Sequence, residues 1–206
     1  NISATATSLT STTTGDVSAE VDGTKATVTT GAGDDSITLN KTTVTKAIDL
    51  GAGDDTLNLN AFTTLDADTA AISGGEGTDT VVLAAVLAAV PISADVDVTT
   101  GYALFKSKVT GFEKLEITNN LTAGNATVNV GNLGYNYVIT SAAATHDLTL
   151  ADMANNGTVE LNAAAALALG DVVVLVKDAL TGTADVLNVI ANVAGTGVVN
   201  NGTLTA

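Results

Sequence analysis

The sequence predicts an all-β chain folded as a parallel β-solenoid, a coil of short strands whose successive turns stack on one another. Three observations predict this fold. A glycine–aspartate motif occurs three times, short apolar–polar alternations run through most of the 206 residues, and the apolar residues are aliphatic, with only three Phe and three Tyr. A coiled sheet cannot bury its apolar face within one turn, so neighbouring turns must stack to form a core.

The motif is found in three segments: residues 30–38, 50–58 and 74–82. The third segment fits the pattern Gly-Gly-x-Gly-x-Asp-x-aliphatic-x throughout. The other two lack only the leading Gly, which Thr30 and Leu50 replace. The corresponding glycines Gly31, Gly51 and Gly75 are farther apart in the sequence than the roughly nine residues that strictly tandem nonapeptides would give. This spacing predicts two short strands per turn, about 18 to 24 residues per turn, and all motifs on one edge.

Alternating apolar residues mark the predicted strands, with Thr, Asn and Gly between them in turns. In the first half they are Ala26/Val28, Ile37/Leu39, Ile48/Leu50, Leu57/Leu59, Ala70/Ile72 and Val81/Leu83. In the second half they are Val128/Val130, Val138, Leu148/Leu150, Val159/Leu161 and Leu167/Leu169, followed by a strand signal at residues 182–189. We expect the solenoid to persist where the glycine motif is absent.

Charge divides the chain into two portions. Residues 1–100 carry 14 acids and three Lys (net −11), whereas residues 101–206 carry eight acids and four Lys (net −4). We assign residues 1–90 to a motif-bearing portion and residues 91–206 to a continuing solenoid. The two are expected to form one elongated domain within a larger protein. The Ser/Thr-rich start to Gly15 and the tail from Asp171 are the predicted end caps.

Composition excludes several classes of function. The chain has no Cys, no Arg and one His, with seven Lys, 22 acids and a net charge of −15. The chain therefore lacks the residues that disulfide scaffolds, thiolate zinc sites and catalytic triads require. His146, beside Asp147, is expected to be a surface histidine. The negative field repels nucleic acid and anionic membranes. The most apolar stretch, residues 81–92, is too short to span a bilayer and predicts a buried strand or short helix.

The chemistry of the motif favours calcium. Glycines at alternate positions allow positive φ, so that carbonyl oxygens converge, and the following Asp adds a carboxylate. Calcium takes six to eight oxygen ligands, which two stacked loops can supply, whereas Mg²⁺ demands tighter octahedral geometry. Two alternatives remain open: plain glycine turns with solvated acids, and a glycosidase-like carboxylate pair, for which no aromatic sugar platform is evident.

The three motifs resemble the calcium-binding RTX nonapeptides of proteins secreted by the Gram-negative type I pathway. The resemblance implies Ca²⁺ as the cofactor, with two ions between three stacked loops. Asp34 and Asp54, the extra acids beside the ligands, are expected to be solvated rather than to coordinate the ion. The implied ligands are the side chains of Asp35, Asp55 and Asp79 and the carbonyls of Gly31, Gly33, Gly51, Gly53, Gly75 and Gly77.

A wider similarity covers the rest of the chain. Residues 109–117 and 183–189, set among Thr-, Asn- and Ala-rich strands, are similar to bacterial surface-layer (S-layer) proteins that carry RTX motifs. No zinc-protease HExxH or lipase GxSxG motif occurs, so no enzymatic activity is expected. The similarity implies a secreted structural module at the cell surface that folds on calcium and assembles with copies of itself. A cell-surface polysaccharide is a further candidate partner of the full protein.

Two other functions stay open at this stage. One is a calcium-stabilised stalk or ligand-binding segment of an RTX adhesin. The other is the calcium-dependent C-terminal part of a secreted enzyme.

The aromatic residues, including Tyr102, Phe105, Phe112 and Tyr135, are expected to fill the ends or a bend of the solenoid.

Overall fold

The structure is a computed structural model that describes residues 6–63, 65–85, 98–119, 124–142, 146–163, 171–179 and 185–193. The described residues divide into two compact units. The first unit contains the described residues up to Leu83 and those from Val98 to Lys114. The second contains Ala84, Ala85 and the described residues from Leu115 onward.

The first unit is built from short strands in which buried apolar residues alternate with exposed Thr and Ser. In the strand around Val28, for example, Val28 is buried between two exposed threonines. β-Branched residues suit this pleated, half-buried surface. The elements are β1 (Ser8–Thr10), β2 (Ser18–Val21), β3 (Thr27–Thr29), β4 (Ser36–Leu39), β5 (Ile48–Asp49), β6 (Thr56–Asn58), β7 (Ile72–Ser73), β8 (Thr80–Ala84), helix α1 (Val98–Lys108) and β9 (Val109–Thr110).

Each turn of this unit contributes one strand to each of two parallel sheets. One sheet has the order β1-β3-β5-β7-β9, and the other contains the adjacent strands β2-β4-β6-β8. Ile37 pairs with Leu57, and Leu57 pairs with Val81. The first of these turns is 20 residues long and the second is 24 residues long. The predicted parallel β-solenoid and its turn length are therefore confirmed.

The core of the first unit consists of columns of aliphatic side chains from equivalent positions in successive turns. Ile37, Leu57 and Val81 form one column, and Val28, Ile48 and Ile72 form the other. Each of these side chains is at most 1% exposed. Full burial of one such side chain stabilises the fold by about 1.5 to 3 kcal/mol. Parallel pairing thus keeps each residue of a turn directly above its counterpart.

The second unit has the same two-sheet arrangement without the glycine motif. Its strand orders are β10-β12-β14-β16 and β11-β13-β15, and every pairing is parallel. Val138 pairs with Val159, and Leu150 with Val174, so these two turns are similar in length to the motif turns of the first unit, whereas the turn that pairs Val159 with Val189 is longer. The elements are β10 (Lys114–Asn119), β11 (Ala126–Asn129), helix α2 (Val130–Leu133), β12 (Tyr137–Ala142), β13 (Leu148–Met153), β14 (Gly157–Ala163), β15 (Val172–Val176) and β16 (Leu187–Val193).

The structure differs from the sequence prediction at several places. Val130 begins helix α2 instead of continuing a strand, because the Asn129 side chain caps the N-terminus and Gly134 ends the helix with φ +95°. Among the described residues before Gly15, β1 pairs in parallel with β3 and thus belongs to the first sheet. The 11-residue helix α1 was not predicted. The predicted strand at Leu167 and Leu169 lies outside the described residues.

Two further sequence predictions concern apolar residues. The apolar stretch at residues 81–92 begins as buried strand β8, and its residues from 86 on lie outside the described part. Within the part of the chain that the structure describes, neither helix has the length and apolar character needed to cross a membrane. The aromatic side chains of Tyr102, Phe105, Phe112 and Tyr135 are buried.

Candidate metal centre

The three glycine–aspartate motifs stack on one edge of the first unit. Each motif connects a strand of the first sheet to a strand of the second: β3 to β4, β5 to β6 and β7 to β8. Because β4, β6 and β8 pair in parallel register, Asp35, Asp55 and Asp79 occupy equivalent positions immediately before these strands. The sequence prediction that all motifs share one edge is therefore confirmed.

Glycine is required where the motif loops approach one another. Gly51, Gly53, Gly75 and Gly77 have φ between +94° and +141°, which L side chains rarely adopt. A Cβ at Gly53 would also collide with the carbonyl oxygen of Gly33, and one at Gly77 with that of Gly53. The second and third loops therefore share one backbone conformation.

The first motif loop is different. Gly31 and Gly33 do not have φ in the left-handed region, so the expected positive φ is wrong at these two positions. They are still required by close approach, since a Cβ at Gly33 would lie 2.5 Å from the carbonyl carbon of Gly15. Thr30, in place of the leading Gly, donates its hydroxyl to the Leu50 carbonyl (2.5 Å).

The motif aspartates form a continuous hydrogen-bonded column, which we call the inner ladder. Each carboxylate accepts the backbone N–H of the equivalent residue in the preceding turn. Val17 N–H donates to Oδ1 of Asp35 (2.7 Å), Asp35 N–H to Oδ1 of Asp55 (2.7 Å), and Asp55 N–H to Oδ1 of Asp79 (2.8 Å). Asp79 N–H donates to Oε2 of Glu113 (2.8 Å). One oxygen of every carboxylate is thereby used to join two turns.

The second oxygen of each motif aspartate has no such partner. Oδ2 of Asp35, Asp55 and Asp79 is buried and without a hydrogen bond, and the three residues are at most 1% exposed. Burial raises the pKa of Asp55 to about 6, and the charges of Asp79 and Asp35 act in the same direction. Burial, with the charge of Glu113, also raises the pKa of Asp79. The ionised ladder is therefore electrostatically unfavourable by itself.

A second column, the outer ladder, runs along the solvent side of the same turns. Asp34 N–H donates to Oδ1 of Asp16 (3.0 Å), and Asp54 N–H to Oδ1 of Asp34 (2.9 Å). Thr78 N–H donates to Oδ1 of Asp54 (2.9 Å). These carboxylates reach towards the following turn, whereas the inner ones reach towards the preceding turn. The Asp16, Asp34 and Asp54 side chains are exposed, so water can solvate their remaining oxygens.

Two ladder residues, Asp16 and Glu113, lie outside the three motifs. Asp16 lies one turn before Asp34, and the pair Gly15-Asp16 repeats the pair Gly33-Asp34. The sequence pattern of this turn is hard to recognise because Val17 stands where the motif turns have the inner-ladder aspartate. Glu113 ends the inner ladder from a turn that retains only Gly111 of the motif glycines.

The residues of the inner ladder fit a hard cation only together with backbone oxygens. Among the described residues, no group of three or more His, Cys, Asp or Glu side chains is arranged to hold a metal ion by itself. The carbonyls of Gly31 and Gly51 accept N–H groups from Ala52 and Glu76 (both 2.9 Å). Each carbonyl retains a second lone pair. Carboxylate and backbone carbonyl oxygens are the ligands that Ca²⁺ prefers.

The second unit also contains a column of polar residues, which lies at the start of the sheet β11-β13-β15. Asn125, Asp147 and Asp171 stand directly before β11, β13 and β15. Asp147 accepts the Asn125 side-chain amide on Oδ2 (3.0 Å) and the Asp171 N–H on Oδ1 (3.0 Å). Both oxygens of this carboxylate therefore have protein donors, and an ion is not needed to satisfy it.

Compared with known proteins, the chain matches no family model, no curated protein and no solved structure. What the edge binds must therefore be inferred from its own atoms. The decisive atoms are the three Oδ2 oxygens of the inner ladder.

Replacing Gly53 by Ala tests whether the loops need their close approach. The new Cβ would meet the Gly33 carbonyl at an unfavourable φ of +130°, so we expect a loss of at least about 2 kcal/mol in urea unfolding followed by circular dichroism. Gly15→Ala is the control, because its Cβ would have no atom within 4 Å and should change stability by less than about 1 kcal/mol. Equal losses at both positions would show that the close approach at Gly53 is not what requires glycine.

The raised pKa of Asp55 predicts a pH dependence in chelator. Between pH 4 and 6 the folded chain holds a proton on Asp55 that the unfolded chain has released, so the free energy of unfolding should fall as pH rises through this range. The Asp55 contribution is on the order of 2 to 3 kcal/mol. Since other acids titrate as well, the quantity to measure is the difference between wild type and Asp55→Asn. A pH-independent difference would refute the assignment.

Proposed function

We propose that this chain is a calcium-binding structural β-solenoid of a secreted bacterial S-layer protein, which completes its folding when Ca²⁺ binds along the motif edge outside the cell. The observation that carries the proposal is the column of buried, unpartnered Oδ2 oxygens on Asp35, Asp55 and Asp79. A plain glycine turn has no reason to bury three carboxylates one above the other.

The spacing of the turns favours calcium over magnesium. Neighbouring strands lie about 4.8 Å apart, so equivalent oxygens on successive turns are separated by roughly twice the Ca²⁺–oxygen distance of about 2.4 Å. Magnesium prefers about 2.0 to 2.1 Å and retains water molecules. Bound Ca²⁺ would supply two positive charges and a coordination shell that glycine carbonyls can complete. Asp35, Asp55 and Asp79 would each contribute Oδ2 while Oδ1 keeps its N–H donor.

Linkage between binding and folding gives this edge its role. A ligand that binds only the folded chain adds about 4 kcal/mol of stability at a thousand times its dissociation constant. At the low calcium concentration inside a cell, the ladder carboxylates repel one another and the first unit is destabilised. At higher calcium outside the cell, the same carboxylates hold successive turns together. Folding would then follow secretion.

The second unit supports association between copies. Strand β16 is the last in the order β10-β12-β14-β16, so one of its edges has no strand neighbour among the described residues. Val186, Val189 and Ile190 on and beside it are 40 to 49% exposed. Strand edges with exposed apolar residues are templates for pairing with another chain. Self-assembly is the part of the proposal that depends on this edge.

The sharpest test is the stability of Asp55→Asn relative to wild type with and without calcium. In chelator at pH 7 the variant should be the more stable protein, because one repelling buried charge is gone and Oδ1 still accepts the Asp35 N–H. In millimolar Ca²⁺ the order should reverse, because a ligand has been lost. Thermal unfolding by circular dichroism measures both. Glu76→Gln, an exposed acid in the third loop, is the control and should show no reversal.

Light scattering of the same samples tests assembly. Calcium should convert the wild-type chain into large particles, and Mg²⁺ at the same concentration should not. A calcium-bound chain that stays monomeric would contradict self-assembly. Wild type and Asp55→Asn that keep the same order of stability in chelator and in calcium would contradict the calcium site.

A further inference from the structure

The inner ladder ends in a turn that carries no complete motif. After helix α1 the chain returns to the solenoid in β9, where Thr110 pairs with Ser73 of β7. Only three residues then separate β9 from β10, whereas six separate β7 from β8. Asp79 O accepts the N–H groups of both Glu113 (3.1 Å) and Lys114 (2.9 Å). This short turn therefore lies directly against the third motif.

Glu113 takes the place in the ladder that an aspartate has in each earlier turn. Its Oε2 accepts the Asp79 N–H at 2.8 Å, and the corresponding N–H to Oδ1 distances in the three earlier turns are 2.7 to 2.8 Å. Because its turn is three residues shorter, an aspartate at this position would have one methylene less with which to span the gap. The length of the glutamate side chain compensates for the shortened turn. At the other end Val17 brings no carboxylate, so the ladder stops there.

Oxygen atoms converge between the third motif and this short turn. Oδ2 of Asp79 is buried, unpartnered and 2.7 Å from the position that a Cβ on Gly74 would occupy. The same Cβ would collide with the carbonyl oxygen of Gly111, so this carbonyl and Oδ2 flank one side of Gly74. Thr30 and Leu50 stand at the corresponding position of the other motifs and have a Cβ. The Glu113 residue is exposed, which leaves the group accessible from solvent.

We propose that Glu113 closes the inner ladder as the side-chain ligand of a further Ca²⁺ site, formed with Oδ2 of Asp79 and the carbonyl of Gly111. The inference rests on the calcium function proposed above and extends it beyond the motif loops. The ladder then has three gaps bounded by a carboxylate on both sides: between Asp35 and Asp55, between Asp55 and Asp79, and between Asp79 and Glu113. Three calcium ions along the inner ladder follow, one more than the motifs imply.

The test is the calcium stoichiometry of the full chain, measured by isothermal titration with Ca²⁺ at pH 7. Wild type should bind three equivalents and Glu113→Gln two. The glutamine keeps the side-chain length and an acceptor oxygen for the Asp79 N–H, so the turn should remain in place. Glu76→Gln removes a charge from the third loop without touching either ladder and should still bind three.

The outcomes separate the two proposals. If Glu113→Gln binds as many equivalents as Glu76→Gln, with affinities equal within twofold, the Glu113 site is refuted while the motif sites stand. If wild type binds no Ca²⁺, both proposals fall together. Circular dichroism in chelator establishes that the variants share the wild-type fold. Glu113→Asp provides a second variant, since the shorter side chain should also lose one equivalent.

Discussion

Parallel pairing at constant register governs the first unit. It places each residue above its counterpart one turn earlier, which benefits the Ile37, Leu57 and Val81 column because similar apolar surfaces pack together. The same rule stacks Asp35 and Asp55, where identical charges repel. The backbone N–H bonds satisfy one oxygen of each carboxylate, but they do not neutralise its charge. This uncompensated charge is the basis of the calcium proposal.

Two ways of finishing a solenoid edge occur in this chain. In the second unit, Asn125, Asp147 and Asp171 precede successive strands, and the Asn125 amide and the Asp171 N–H satisfy both oxygens of Asp147. In the first unit, Oδ1 of each inner-ladder aspartate accepts a backbone N–H, and Oδ2 has no donor. The proposed calcium ions would therefore act at the first of these edges, where buried carboxylate oxygens have no donor.

The strands, the turn length and the shared edge of the motifs could be predicted from the sequence. Period-two alternation indicates the strands, and the spacing of the motifs indicates the length of a turn. Helix α2 could not, because its start at Val130 depends on the Asn129 cap and on Gly134. Neither Asp16 nor Glu113 was predicted as a ladder residue, since their turns retain few residues of the motif. The motif pattern also did not reveal that Gly31 and Gly33 lack the positive φ of the later motif glycines.

Hydrogen exchange of the full chain, compared in calcium and in chelator, would show whether calcium holds the ladder together. The N–H groups of Asp35, Asp55 and Asp79 donate to ladder carboxylates, so their exchange reports on the ladder itself. We expect peptides covering these residues to exchange at least tenfold more slowly in calcium, while peptides around Asp147 change little. Equal exchange of the ladder peptides with and without calcium would contradict a calcium-held edge.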